Sequence, residues 1–157
     1  MLFKDDFFFL SNFYPCEITL EVNGKTILYK NSEAAFQAQK NLSVADKFKL
    51  LSGLEAKKLG EAIPITTENW PYEQVYAMAK VLNNKFKNYG LLFKLKLIKE
   101  DIVNDNFWKD TFWGVYKGEG KNVLGKLLMN IRDHNNDYNY LLAYINKEIH
   151  SWCTKAV

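Results

Sequence analysis

Ile18-Thr19-Leu20-Glu21-Val22-Asn23-Gly24-Lys25-Thr26-Ile27-Leu28-Tyr29 reads as two short β-strands joined by a two-residue turn. Asn-Gly supplies the two positive-φ positions of a type I′ turn, whose twist matches that of the flanking strands. The turn fixes a register with Val22 opposite Lys25, Leu20 opposite Ile27 and Ile18 opposite Tyr29. The apolar members then share one face, and a slip of one residue would send them all to the other side. Directly after the hairpin comes Ser32-Glu33-Ala34-Ala35-Phe36-Gln37-Ala38-Gln39-Lys40. Its alanines and straight-chain residues favour helix, and Ser32 is the expected N-cap.

Further along, helical signals dominate. A short helix is expected over residues 55–59, ended by Gly60. Pro71 suits the first turn of a helix. Val75, Met78, Ala79, Leu82 and Phe86 then recur at helical spacing, ending near Tyr89-Gly90. Residues 91–98 fit helix better than strand. Residues 104–121 form an aromatic and glycine-rich loop, and so long a stretch without regular structure is usually functional. Asn122 is the expected N-cap of a helix with Val123, Leu124, Leu127, Leu128 and Ile131 inward. A last helix carries Tyr138, Leu141, Leu142, Ile145 and Ile149 on one stripe. The expected fold class is α+β, a single mostly helical domain over residues 1–157 with a small antiparallel β-sheet near the N-terminus.

Composition narrows the function classes. The chain has 157 residues, 48% apolar and 25% charged, which excludes a disordered chain, a coiled coil and a collagen-like repeat. Eleven Phe, 9 Tyr and 4 Trp are more rings than a core of this size needs, and they suggest a stacking surface. A net charge of +3 is too small for a dedicated duplex-DNA binder. Two distant cysteines, Cys16 and Cys153, make no disulfide framework and point to a reducing compartment. The apolar run at Phe7 is too short for a signal peptide, and no stretch is long enough to span a membrane. A cytoplasmic location without membrane contact is expected. The two histidines, His134 and His150, make no metal-ligand pattern, so neither a metal nor another cofactor is expected.

Three constellations carry chemistry. On a helix over residues 32–40, Glu33, Phe36, Gln37 and Lys40 share one face, setting an acid, an amide and an amine beside a ring. Read plainly, that face is an ordinary solvated one. Asp110-Thr111-Phe112-Trp113-Gly114 presents a carboxylate next to an indole, or else an Asp engaged in local turn hydrogen bonds. Gly118-Glu119-Gly120-Lys121-Asn122 leads into a helix whose first N–H groups, with Lys121, suit an anion, or it is a plain loop and cap.

These blocks, together with Phe9-Leu10-Ser11-Asn12-Phe13-Tyr14, Ala56-Lys57-Lys58-Leu59-Gly60, Lys85-Phe86 and residues 120–132, resemble the NADAR family of YbiA-like proteins. The blocks keep the family's order and cover about residues 7–133. The resemblance implies an N-glycosidase acting on ribosyl–amine bonds. The implied substrates are phosphorylated intermediates of riboflavin biosynthesis or ADP-ribose on guanine, with ADP-ribosylated nucleic acid as a further partner. It implies Glu33, Lys40 and Asp110 as catalytic residues. One carboxyl group would stabilise the cationic C1 and the other would supply a proton to the leaving amine. Lys40 would trap the open-chain sugar as a Schiff base or hold a phosphate. Phe36, Gln37, Trp70, Trp113, Gly114, Lys121 and Asn122 would bind substrate. The chain departs from the family pattern at Glu61, Thr66 and Asn104, where arginine, arginine and an acid are usual. These departures raise the alternative of a non-catalytic ADP-ribose or NAD-binding module.

Overall fold

The hairpin forms in the expected register. Strand β1 (Pro15–Val22) pairs antiparallel with β2 (Lys25–Asn31), with Ile18 opposite Tyr29, Leu20 opposite Ile27 and Val22 opposite Lys25. Asn23 at φ 51° and Gly24 at φ 78° make the turn that the Asn-Gly pair requires. Ile18, Leu20, Val22, Ile27 and Tyr29 are buried along one face. The computed structural model describes residues 1–154.

The chain forms two compact units, one of residues Asn12–Lys85 and one of Met1–Ser11 with the chain from Phe86 onward. The first holds the hairpin and three helices, α1 (Ser32–Ala38), α2 (Gly53–Ala62) and α3 (Trp70–Lys85), with a 3-10 segment over Leu42–Phe48. Helix α1 packs against both strands, α2 and α3, and is the hub of this unit. Val75, Met78, Ala79 and Leu82 are buried along α3, as their spacing predicts, but the helix ends at Lys85, before Phe86 and short of the expected end near Tyr89-Gly90. The otherwise unpaired Thr19 edge of β1 is closed from α3, where Asn84 Oδ1 accepts from Thr19 N at 3.0 Å and Asn84 Nδ2 donates to Thr19 O at 2.8 Å.

The second unit has a 3-10 turn over Asp5–Leu10 and helices α4 (Tyr89–Leu97), α5 (Val123–Asp133) and α6 (Tyr138–Cys153). Val123, Leu124, Leu127, Leu128 and Ile131 are buried on α5, and Leu141, Ile145 and Ile149 on α6. Between α4 and α5 the aromatic and glycine-rich segment is irregular, apart from isolated bridges joining Asp105 to Val115 and Tyr116 to Glu119.

Helix ends differ from the sequence reading for local reasons. Asn31, not Ser32, caps α1, its Oδ1 accepting from Ala34 N at 2.8 Å. Helix α2 starts earlier than expected because Ser52 and Glu55 form a reciprocal capping box, and it continues past Gly60 to Ala62. Asn122 is at φ 54°, in the left-handed region, and makes no side-chain cap. Its side chain bridges inward instead, Oδ1 accepting from Asn104 N and Nδ2 donating to Ile102 O, both at 2.9 Å. None of the described helices is long and apolar enough to cross a membrane.

Candidate active site

In the first unit the chemistry-bearing groups gather at the two ends of α1. Glu33 sits in its first turn, where the helix dipole favours an anion. Its backbone N–H donates to Asn12 O at 2.9 Å. Its carboxyl Oε1 accepts from Gln37 Nε2, one helical turn on, at 2.8 Å. Burial pushes the Glu33 carboxyl above its ordinary range, while the Gln37 amide, the Lys57 and Lys40 ammoniums and the Asn12 side chain pull it back. Gln37 is only 6% exposed.

Helix α1 stops at Ala38, so Lys40 lies in the turn beyond it and not on the helical face that its spacing predicts. The turn is pinned. Lys40 N donates to Gln37 O at 3.1 Å, and Lys40 O accepts from Thr66 N at 3.0 Å and Thr66 Oγ1 at 3.4 Å. Burial lowers the Lys40 pKa, with Glu33 and then Glu61 opposing. Phe36 is buried, its ring centroid 5.6 Å from that of Trp70 and tilted by 41°. Trp70 opens α3 as expected.

In the second unit, Asp110 Oδ1 accepts from Phe112 N at 3.0 Å and Trp113 N at 2.9 Å, which is the local-turn arrangement. Asn106 braces the same turn, donating from Nδ2 to Asp110 O at 2.8 Å and accepting at Oδ1 from Asp110 N at 3.0 Å. The Trp113 and Phe112 rings meet at 4.9 Å. A Cβ at Gly114 would overlap Asn104 O and lie 2.8 Å from Asn106 Nδ2, so glycine there serves the close packing of this loop.

The start of α5 is not an open anion cradle. The N–H groups of Lys121, Asn122, Val123 and Leu124 donate to the carbonyls of Thr111, Gly114, Phe112 and Trp113, at 2.8–3.3 Å. Those backbone donors are therefore committed within the chain. Exposed Lys121 donates from Nζ to Ser151 O at 3.0 Å, and Asn122 is 8% exposed. Among the described residues no three His, Cys, Asp or Glu side chains gather in a metal-ligand group.

The fold and this chemistry define a mostly helical α+β protein with a buried carboxyl, its amide partner and a desolvated amine on one short helix and its exit turn. The chain belongs to the NADAR domain family, whose profile matches residues 2–134. It is 34% identical to N-glycosidase YbiA of Escherichia coli strain K12 over 143 residues, 83% of this chain and 82% of that relative. It is 33% identical over 134 residues to a riboflavin biosynthesis protein of Vibrio vulnificus strain YJ016. That match takes in 80% of this chain and 35% of the relative, so the chain spans about a third of the longer protein. The NMR structure of the E. coli protein YbiA superposes with a TM-score of 0.70 at 30% identity, covering 94% of this chain and 87% of that one.

Asn12 and Lys57 act on the Glu33 carboxyl, and Thr66 fixes the Lys40 turn. Asn12 and Lys57 stand inside the blocks that carry the family resemblance, and Thr66 is one of the positions at which the chain departs from it.

Proposed function

We propose that this protein is an N-glycosidase, a hydrolase that cleaves the bond between ribosyl C1 and an amine nitrogen. The observation that carries this reading is the Glu33 carboxyl, raised by burial and held by Gln37, within a chain of the NADAR family. A carboxyl whose pKa burial raises holds its proton more tightly than an exposed one, which suits proton donation to a leaving amine. In the proposed reaction the C1–N bond breaks, Glu33 delivers the proton to nitrogen, and water supplies the hydroxyl to C1. The family resemblance alone makes Asp110 the second proposed catalytic residue, with stabilisation of the cationic C1 as its task. Lys40, whose amine burial shifts towards the neutral form, then captures the open-chain aldehyde of the released sugar as an imine with loss of water, and a further water hydrolyses that C=N bond to free the sugar and the amine.

The substrate class follows from kinship and chemistry together. A relative named as a riboflavin biosynthesis protein and others named N-glycosidase favour a phosphorylated ribosyl amine, with ADP-ribosylated guanine as the other candidate. Trp70 and Phe36 offer one stacking pair for the base, and Trp113 with Phe112 another. Lys121 is a further proposed binding residue, by resemblance, whereas the Asn122 side chain is spent on Asn104 N and Ile102 O and serves the loop. The test is release of free amine or base from a ribosyl amine 5′-phosphate and from an ADP-ribosylated guanine oligonucleotide. Wild type should turn over one of them, and Glu33→Gln and Asp110→Asn should each be slower by about a hundredfold or more. Equal rates in the variants would overturn the assignment.

A second reading, a non-catalytic ADP-ribose or NAD-binding module, draws on Glu61, which stands where the family pattern has arginine. It expects calorimetric binding of ADP-ribose without turnover of either substrate.

A further inference from the structure

The side chain that holds Glu33 is itself held in an unusual way. Gln37 uses Nε2 on the Glu33 carboxyl, and its Oε1 is buried without a hydrogen-bond partner among the described residues. A buried carbonyl oxygen in that state is costly and needs a compensating reason. Facing it is Gly60 of α2, and α2 packs directly on α1. A Cβ at residue 60 would overlap Gln37 Oε1 and lie 2.5 Å from Gln37 Cδ and 3.1 Å from Cγ. All three of those atoms belong to one carboxamide arm, and none is backbone. Glycine at position 60 therefore keeps a space that the Gln37 amide fills. Gly60 lies within α2, where glycine weakens the helix by about 0.5–1 kcal/mol relative to alanine. It is not at the helix end, where glycine would serve as a terminator.

The chemistry of a carboxamide explains what the space is for. Its nitrogen donates to a carboxylate, and after a half-turn its oxygen accepts from a protonated carboxyl. One residue can thus partner Glu33 in both of its proton states. No single-function donor, such as a lysine or an indole, does this. A carboxyl group that gives and regains a proton in each turnover needs such a partner if it is not to swing away.

We infer that Gln37, seated by the missing Cβ of Gly60, is a positioning residue that fixes the orientation and proton affinity of the Glu33 carboxyl. Gly60 acts only through Gln37. The inference rests on the reading of Glu33 as the proton donor but not on the substrate, and the titration below reads the carboxyl without turnover, so the two can fail separately.

The experiment is a pH titration of the full chain labelled with 13C at glutamate Cδ. The Glu33 signal is identified by its disappearance in Glu33→Gln. Gln37→Met keeps the length of the arm but removes the donor. It should move the Glu33 midpoint upward by about one to two pH units, because a hydrogen bond to the charged form is lost. Gly60→Ala should move it the same way by displacing the amide. In a Gln37→Ala background, where Cγ, Cδ and Oε1 are gone, adding Gly60→Ala should shift nothing further. A Glu33 midpoint unchanged in folded Gln37→Met would overturn the inference. So would a Gly60→Ala shift that persists in the Gln37→Ala background. Should Gly60→Ala alone fail to fold, Gln37→Met and the Gln37→Ala pair still decide the matter.

Discussion

Burial holds the Glu33 carboxyl above its ordinary range, so the folded chain binds that proton more tightly than the unfolded chain does. Stability from this group is complete at low pH and is lost as pH rises through its folded pKa, because charge must then be buried. Glu33→Gln should therefore melt higher than wild type at neutral pH and show no advantage near pH ~4, which thermal scans across pH will check. Such a gain in stability with a loss of activity is the signature of a group kept for chemistry and not for folding. Lys40 makes a separate prediction. Borohydride added during turnover should fix the imine as a stable sugar adduct visible by mass, and Lys40→Met should show none. The Glu33 to Gln37 contact was legible in the sequence, because residues four apart on a helix share a face. The position of Lys40 was not, since a helix that ends at Ala38 leaves no trace in spacing alone.

The hairpin was readable to the residue because Asn23-Gly24 admits few turns, and the alternation of Leu20, Val22 and Ile27 then admits one register. Long helices were readable from their buried stripes, as on α3 and α5. Caps were less so. Asn31 and Ser32 are both good N-caps, and tertiary contact chose between them. Asn31 Nδ2 also donates to Leu51 O at 2.9 Å, a bond from outside the helix. Asn31→Ala loses that bond and the cap together and should destabilise the protein by about 2 kcal/mol, as denaturant melts will measure. The loop over 104–121 is irregular as expected, but the asparagines that order it have no signal in the sequence. Asn104, Asn106 and Asn122 bond carbonyls and amides far along the chain, and such bonds have no period. Asn122→Ala strands Asn104 N and Ile102 O and should cost a further ~2 kcal/mol by the same measurement.

At the scale of the whole molecule, Lys85 is a charged residue type buried within the fold, 1% exposed at the end of α3. Burial pulls its pKa down from 10.5 to about 8, with Cys16 opposing, and its Nζ lies 5.8 Å from the centroid of the Tyr14 ring. The sign follows from proton counting. Between those two values the unfolded chain holds a proton that the folded chain has released, so stability from this group rises as pH rises. The half-buried Cys16 thiol and the buried Tyr29 phenol, both pushed up, work in the opposite sense at alkaline pH. The difference between wild type and Lys85→Met isolates the amine. Lys85→Met should be more stable at neutral pH, and its advantage should shrink as pH rises from about 8. No sequence pattern marks a lysine for burial, although Lys85 does stand within the resemblance to the family.

The central claim is that the Glu33 carboxyl donates the proton that releases the amine. Its most direct measurement is the rate of amine release from a ribosyl amine 5′-phosphate, followed across pH for wild type and Glu33→Gln. The wild-type rate should fall on an alkaline limb, and the variant should be slowed at least about a hundredfold with that limb absent. A Glu33→Gln variant that keeps the wild-type rate and the same limb would contradict it.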